Sequence, residues 1–173
     1  SISSTARVSQ QARIYATRLI VGDNSRIDDG VIITGDVEIG HHVHIAPYCL
    51  LHGGSKIVIR DYGGIGAFSA LYSESDDYSG RSMCSPLVDA KHRRHLQRGK
   101  ITLERLVNIG VRSTLMPGVR MQTGAVLGAH SFMKRDAGEW GIYAGTPATY
   151  IKQREKNYCE SITAEMDGTA YVV

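Results

Sequence analysis

Three polar side chains near the middle of the sequence are of the types that catalyse proton transfer: His52, Asp76 and Asp77. A histidine or carboxylate within reach of a nucleophile can take its proton as a general base. His52 stands beside Gly53 and Gly54, which would let another molecule approach closely. A carboxylate of ordinary pKa, about 4, is a weak base at neutral pH, although adjacent carboxylates can raise each other's pKa. The residues alone leave the choice of base open.

An aliphatic residue recurs at every sixth position over most of the chain and must build the scaffold for these side chains. The aliphatic positions are Val21, Ile27, Ile33, Ile39, Ile45, Leu51, Ile59, Ile65, Leu71, Ile109, Leu115, Met121, Leu127 and Met133. A small residue generally follows four positions later. Neither a helix nor a plain strand has a period of six. The period predicts a three-sided solenoid in which each coil buries its aliphatic residues against the next.

Breaks in the repeat predict how the chain is divided. We expect a single domain, 1–173, with an N-terminal cap (1–20), β-helix coils (21–72 and 101–136), an inserted loop (73–100) and a C-terminal cap and tail (137–173). Coils of about eighteen residues would give about five to six turns. Polar insertions of this kind commonly form a binding face.

The segment after the last coil, AGTPATYIKQREK, favours a short capping helix. Pro147 suits the first turn of a helix, and Tyr150, Ile151 and Arg154 follow at helical spacing. A solenoid needs such a cap because its last coil otherwise exposes an unpaired edge.

Composition excludes several classes of protein. The chain is 42% hydrophobic and 21% charged, with a net charge of +3, which are ordinary values for a soluble domain. It has no apolar run of eighteen residues and no signal sequence, so we expect neither a membrane span nor secretion. Cys49, Cys84 and Cys159 lie far apart and predict a reducing, cytoplasmic location.

Basic residues cluster in KHRRHLQRGK, residues 91–100. The cluster is either solvated surface or a site for a phosphate-bearing small molecule. Aromatic residues are not interleaved with it, which argues against a nucleic-acid partner.

The sequence resembles the hexapeptide-repeat acyltransferases. The resemblance is carried by the hexads, by IGVRSTLMPGV and LGAHSFMKR, and by AGTPATYIKQR. It implies an all-β fold, a left-handed parallel β-helix with an extended loop and a short C-terminal α-helix. It further implies a homotrimer with active sites at subunit interfaces, acetyl-CoA or another acyl-CoA as co-substrate, and no required metal. The stretches SESDDYSG and EWGIYAGTPA are similar to enzymes that acetylate sugars or sugar nucleotides for bacterial surface polysaccharide, O-antigen or capsule.

The resemblance also assigns expected roles to individual residues. In several branches of the family a catalytic histidine follows the coil equivalent to Leu71, where this chain has Asp76 and Asp77 instead. His52 is therefore the leading base candidate, with the two aspartates as the alternative. The expected coenzyme contacts are Val111, Ala129, Lys134, Arg135, Lys152 and Arg154, and the expected acceptor contacts are Tyr48 and Tyr78. Trp140 could cover the coenzyme or pack under the cap.

Two other functions are compatible with the same solenoid. One is a non-catalytic structural or assembly module, because the usual loop histidine is missing. The other is a γ-class carbonic anhydrase, whose three-histidine metal site needs two histidines five positions apart. The seven histidines stand at positions 41, 42, 44, 52, 92, 95 and 130, and no pair has that spacing. The sequence therefore favours acyl transfer to a hydroxyl or an amine.

Overall fold

The computed structural model describes residues 1–168. Its strands are β1 (Arg7–Val8), β2 (Arg13–Val21), β3 (Arg26–Ile27), β4 (Ile32–Ile39), β5 (His44–Ile45), β6 (Leu50–Ile59), β7 (Gly64–Ile65), β8 (Ala70–Tyr72), β9 (Glu74–Ser75), β10 (Gln97–Arg98), β11 (Ile101–Leu103), β12 (Asn108–Ile109), β13 (Thr114–Leu115), β14 (Arg120–Met121), β15 (Val126–Leu127), β16 (Phe132–Met133), β17 (Gly141–Gly145) and β18 (Ala148–Gln153). A 3-10 helix covers Ala90–His92, and the α-helix α1 covers Asn157–Met166.

These strands form a parallel β-helix with three faces, as the six-residue period predicts. One face stacks β1, β3, β5, β7, β12, β15 and β17 in that order. The long strand β6 bends between the other two faces, pairing with β8 on one and with β11 on the other. The first face thus contains seven parallel strands, one from each coil, where we expected five to six coils.

The core is the column of aliphatic side chains that the repeat predicts. Every aliphatic position of the repeat is at most 4% exposed. Small residues fill the space between them, and the hydroxyls among these are satisfied by the backbone: Ser69 Oγ donates to Gly110 O and Ser113 Oγ donates to Gly128 O, each at 3.0 Å. Burial of apolar area in this column is the main stabilising contribution to the fold.

The coils begin earlier than the first in-phase residue. Residues 1–20, which we expected as a cap, contain β1 and β2, and both pair in parallel with the following coil. Arg13 pairs with Ile32, and Val8 pairs with Ile27. The N-terminal segment is therefore the first coil of the solenoid, and it also covers the N-terminal end of the coils.

The C-terminal cap differs from the prediction in its position and type. Residues 148–153, expected as a helix, form β18, which pairs antiparallel with β17. The reason is that pairing with β17 satisfies backbone groups at the end of the last coil, which outweighs the modest helix propensity of this segment. The short C-terminal helix is instead α1, and beyond it Asp167 accepts a hydrogen bond from Tyr62 Oη at 2.6 Å and pairs with Arg105. The end of the predicted tail, 169–173, lies outside the described residues.

The inserted loop, 73–100, folds back onto the coils. Strands β9 and β10 at its two ends pair antiparallel, with Glu74 opposite Arg98. Ser73 Oγ donates to the carbonyl of His52 at 2.9 Å, which ties the start of the loop to β6. No helix among the described residues is long and apolar enough to cross a lipid bilayer.

Candidate functional site

A cavity of about 440 Å³ lies between the inserted loop and the coils, and we call it the acceptor cavity. Its lining residues are His52, Tyr72, Glu74, Ser75, Asp76, Tyr78, Arg93, Leu96, Thr114 and Met116. Coils supply His52, Tyr72, Thr114 and Met116, and the loop supplies the others. The structure therefore brings together three of the expected site residues: His52, Asp76 and Tyr78.

His52 is held in place by its neighbours in the adjacent coils. In the stack of parallel strands, Thr34 lies on one side of His52 and Tyr72 on the other. Nδ1 of His52 and Oγ1 of Thr34 are 2.9 Å apart and share a hydrogen bond. The Tyr72 ring lies 6.0 Å from the imidazole, centroid to centroid, at 56°. With Nδ1 engaged, Nε2 is the nitrogen available to a molecule in the cavity.

Two carboxylates and one arginine belong to the polar lining of the cavity, and Arg98 pairs with one of the carboxylates without lining the cavity itself. Asp76 Oδ1 lies 3.7 Å from Nη2 of Arg93. Glu74 Oε2 lies 2.7 Å from Nε of Arg98. Nε of Arg93 is buried and has no hydrogen-bond partner among the described residues, which leaves its donor capacity unused. The cavity thus offers carboxylate oxygens to a cationic group, although each of the two carboxylates also pairs with an arginine.

Asp77, expected as a base candidate, has a structural role. Its side chain is 4% exposed and accepts hydrogen bonds from the Ser79 backbone N–H at 3.0 Å and from Ser79 Oγ at 2.7 Å. Arg81 Nε lies 3.7 Å from Oδ2, the oxygen that also accepts from Ser79 Oγ. These contacts, led by the Ser79 hydroxyl, lower the pKa of Asp77. A lowered pKa weakens a carboxylate as a base, so Asp77 anchors the loop, and Asp76 is the only member of the pair that lines the cavity.

Acidification should loosen the start of the loop. Because folding lowers the pKa of Asp77, its contribution to loop stability is present above the ordinary carboxyl pKa and is lost as pH falls through the folded value. The protection factor of the Ser79 amide, its intrinsic exchange rate divided by its observed rate, should accordingly fall below about pH 4. Asp77→Asn should show fast exchange already at pH 7, whereas equal protection of Ser79 in both proteins at pH 7 would contradict this account.

The two tyrosines expected at the acceptor lie in different places. Tyr78 lines the acceptor cavity and is 77% exposed. Tyr48 lies at a corner of the coils, where it stacks on Phe68 at 5.2 Å between ring centroids. It lines a separate cavity with residues of the first coil, such as Gln11 and Arg13. The structure therefore does not bring Tyr48 to His52.

The expected coenzyme contacts occupy the surface of the last coils. Val111 and Ala129 are both exposed and lie in successive coils, with His130 N donating to Val111 O at 2.9 Å. Lys134, Arg135 and Lys152 are exposed, and none makes an ion pair with a described residue. These three cations are available to phosphate groups.

Arg154 has partners within the protein instead. Its Nη1 donates to the carbonyls of Leu106, at 3.1 Å, and Gly124, at 2.9 Å. Its guanidinium also lies over the Trp140 ring, which is 5 % exposed and packs on Gly124. We therefore assign Arg154 and Trp140 to holding the cap on the last coils, and not to binding the coenzyme.

Sequence reasoning missed Thr34, Tyr72, Glu74 and Arg93. Thr34 could have been found, because it precedes His52 by one coil of eighteen residues and must lie next to it in the stack. Arg93 was noticed only as part of a basic cluster. Its place in the cavity depends on how the loop folds, which no period in the sequence specifies.

Within residues 1–168, no group of three or more His, Cys, Asp or Glu side chains is arranged to hold a metal ion. His44, for example, has its Nε2 2.8 Å from a carboxylate oxygen of Asp28.

Known proteins similar to this chain are acyltransferases. A family model described as bacterial transferase hexapeptide (six repeats) matches residues 19–53. A dTDP-4-amino-4,6-dideoxy-D-glucose acyltransferase of Escherichia coli is 31% identical over 92% of this chain and 85% of its own length. The structure of AntD, an N-acyltransferase from Bacillus cereus, in complex with dTDP and 3-hydroxybutyryl-CoA superposes with a TM-score of 0.90 at 32% identity, covering 95% of this chain and 88% of AntD. A variant of AntD in complex with dTDP-4-amino-4,6-dideoxyglucose and coenzyme A gives a TM-score of 0.91 at 32% identity over 96% of this chain and 90% of the variant.

Proposed function

The chain belongs to the hexapeptide-repeat acyltransferases, and from this membership we propose that it transfers an acyl group from acyl-CoA to the amine of a nucleotide-linked aminosugar. The acceptor class is that of dTDP-4-amino-4,6-dideoxyglucose. The similarity to the Escherichia coli enzyme and to AntD supports this acceptor, since both extend over nearly the whole chain. The proposed product is an N-acylated sugar nucleotide, a building block for surface polysaccharide.

The observation that carries the proposal is the acceptor cavity, where Nε2 of His52 is available beside Asp76 and Glu74. A sugar amine is largely protonated at neutral pH, and carboxylates attract the ammonium form. The same carboxylates would accept hydrogen bonds from a neutral hydroxyl, but they attract a charged ammonium more strongly. The arrangement therefore favours an amine acceptor over a hydroxyl.

His52 performs the proton transfer in the proposed reaction. The bound ammonium first releases one proton to solvent, and the resulting neutral amine attacks the thioester carbonyl carbon, so a C–N bond forms and the C–S bond breaks. Nε2 takes the proton that the nitrogen loses and passes it to the departing coenzyme A sulfur. Nε2 can do this when the ring hydrogen is on Nδ1 and is donated to Thr34 Oγ1, which fixes both the tautomer and the ring orientation.

The acyl-CoA is proposed to lie along the last coils, past Val111 and Ala129. Lys134, Arg135 and Lys152 would meet its phosphates, because charge-assisted hydrogen bonds to phosphate are strong. Acetyl-CoA is the proposed donor. We further propose that three chains assemble into a trimer, with the acyl-CoA held between neighbouring coils.

The reaction can be tested by product mass. We expect incubation with acetyl-CoA and dTDP-4-amino-4,6-dideoxyglucose to add one acetyl group to the sugar nucleotide and to release one free thiol per product. dTDP-6-deoxyglucose, which differs only by a hydroxyl in place of the amine, serves as the matched control and should remain unmodified. Acetylation of dTDP-6-deoxyglucose but not of the aminosugar would refute the amine acceptor, and a longer acyl-CoA used in preference would replace acetyl as the donor.

A further inference from the structure

A second cavity, of about 290 Å³, lies within the inserted loop, and three of its eight lining residues are Arg or Lys. We call it the basic cavity. Its lining residues are Gly80, Arg81, Ser82, Met83, Lys91, His92, Arg94 and His95. No acidic side chain lines it, although acidic residues occur elsewhere in the loop. A concave surface with cations on several sides concentrates the positive potential and favours an anion.

Hydrogen bonds fix the two walls of the basic cavity. Met83 N donates to His92 O at 2.9 Å, and Ser82 Oγ donates to the same carbonyl at 3.3 Å. The wall that contains Arg81 is anchored through Asp77, which pairs with Arg81 and accepts two hydrogen bonds from Ser79. The cations are therefore arranged around the cavity by backbone contacts and not only by their own side-chain preferences.

The charge of the basic cavity is incompletely neutralised. Arg81 lies 3.7 Å from Asp77, and Lys91 lies 3.5 Å from Asp89 on the exposed 3-10 helix. Arg94 makes no ion pair with any residue in 1–168. An Arg guanidinium presents several donors in a planar fork that matches phosphate oxygens.

No residue lines both the basic cavity and the acceptor cavity, but one segment of the loop contributes to each. Residues 91–96 contribute Arg93 and Leu96 to the acceptor cavity and Lys91, His92, Arg94 and His95 to the basic cavity. A ligand that occupied both would meet carboxylates at one end, Glu74 and Asp76, and cations at the other. A nucleoside diphosphate aminosugar has this polarity, with an ammonium on the sugar and negative charge on the diphosphate.

We propose that the basic cavity is the diphosphate site of the acceptor, with Arg94 and Lys91 as its principal phosphate ligands. This inference rests on the proposed function for the identity of the ligand, but the site itself stands on the geometry of the loop. It makes the inserted loop the part of the chain that distinguishes a nucleotide-linked sugar from a free sugar.

The test measures binding of dTDP, inorganic pyrophosphate and thymidine by titration calorimetry in the absence of acyl-CoA. In Lys91→Ala/Arg94→Ala, dTDP and pyrophosphate should bind about 10- to 100-fold more weakly, because two charge-assisted contacts are lost. Thymidine, which has no phosphate, should change by less than about twofold. Arg7→Ala/Lys156→Ala removes the same charge from exposed positions outside the loop and is expected to bind dTDP like the unmodified protein.

Each outcome bears on a different proposal. If dTDP binds the loop variant as tightly as the unmodified protein, or the control variant binds it equally weakly, the diphosphate site is wrong. If dTDP binding depends on Lys91 and Arg94 but no acyl transfer occurs with any aminosugar nucleotide, the site stands and the proposed reaction is refuted.

Discussion

His52→Ala is expected to lower kcat by about two to three orders of magnitude while leaving the Kd for dTDP nearly unchanged. The reason is that Nε2 of His52 is the proposed proton acceptor, and removing a general base affects the transition state more than the ground state. Steady-state kinetics with acetyl-CoA and dTDP-4-amino-4,6-dideoxyglucose would measure kcat, and circular dichroism would confirm that the coils remain folded.

Companion variants separate the base from its surroundings. Thr34→Val removes the partner of Nδ1 but keeps the imidazole, so a smaller loss of kcat, about tenfold, is expected. Asp76→Asn keeps the size of the side chain but removes a carboxylate proposed to hold the ammonium, so KM should rise more than kcat falls. A small effect of His52→Ala beside a large loss of kcat in Asp76→Asn would transfer the role of base to the loop.

The fold was predictable because its information is periodic. Each aliphatic position, from Val21 to Met133, is buried in the same column of the core. A repeat that is visible in short stretches of sequence therefore predicts the whole solenoid. The N-terminal coil was underestimated because Val8, Ile14 and Ile20 are one residue out of phase with the positions that follow. Pairing with the next coil places β1 and β2 in the solenoid despite this offset.

The cap was less predictable because its structure depends on what it covers. The spacing of Tyr150, Ile151 and Arg154 is also compatible with a helix. In the structure, however, this segment is an antiparallel strand whose backbone hydrogen-bonds with the strand at the edge of the last coil. Arg154 then reaches two backbone carbonyls of earlier coils. A cation beyond the last coil was read as a phosphate ligand because nothing local in the sequence distinguishes the two roles.

The candidate site was predictable where it lies on coils and less so where it lies on the loop. His52 was found from its position beside two glycines, and the structure places it in the acceptor cavity. Asp76 and Asp77 are adjacent in sequence but diverge in space, since one lines the cavity and the other is buried under Ser79. The conformation of a non-periodic segment such as the loop depends on individual side-chain contacts, and the spacing of residues in the sequence does not predict those contacts.

Gly110→Ala is expected to lower the free energy of unfolding by about 3 kcal/mol. Successive coils approach closely at this corner, so a Cβ on Gly110 would lie 2.4 Å from Ala129 N and 2.7 Å from Gly128 C. Both atoms belong to the backbone of the next coil, which cannot move without breaking the ladder between β12 and β15. Guanidinium denaturation followed by circular dichroism would give the change, with the midpoint shifting at constant m-value.

Gly138→Ala is the matched control, because the nearest atom to its added Cβ is the Tyr143 hydroxyl at 3.5 Å, an ordinary contact. Its effect should be within about 0.5 kcal/mol, as for most exposed positions. Equal effects of the two substitutions would mean that the coils can separate at little cost and that the corner is not tightly packed. A selective loss in Gly110→Ala would instead show that the spacing of the coils is rigid there. The path proposed for acyl-CoA past Val111 and Ala129 needs that rigidity, since both residues follow these close approaches directly in the chain.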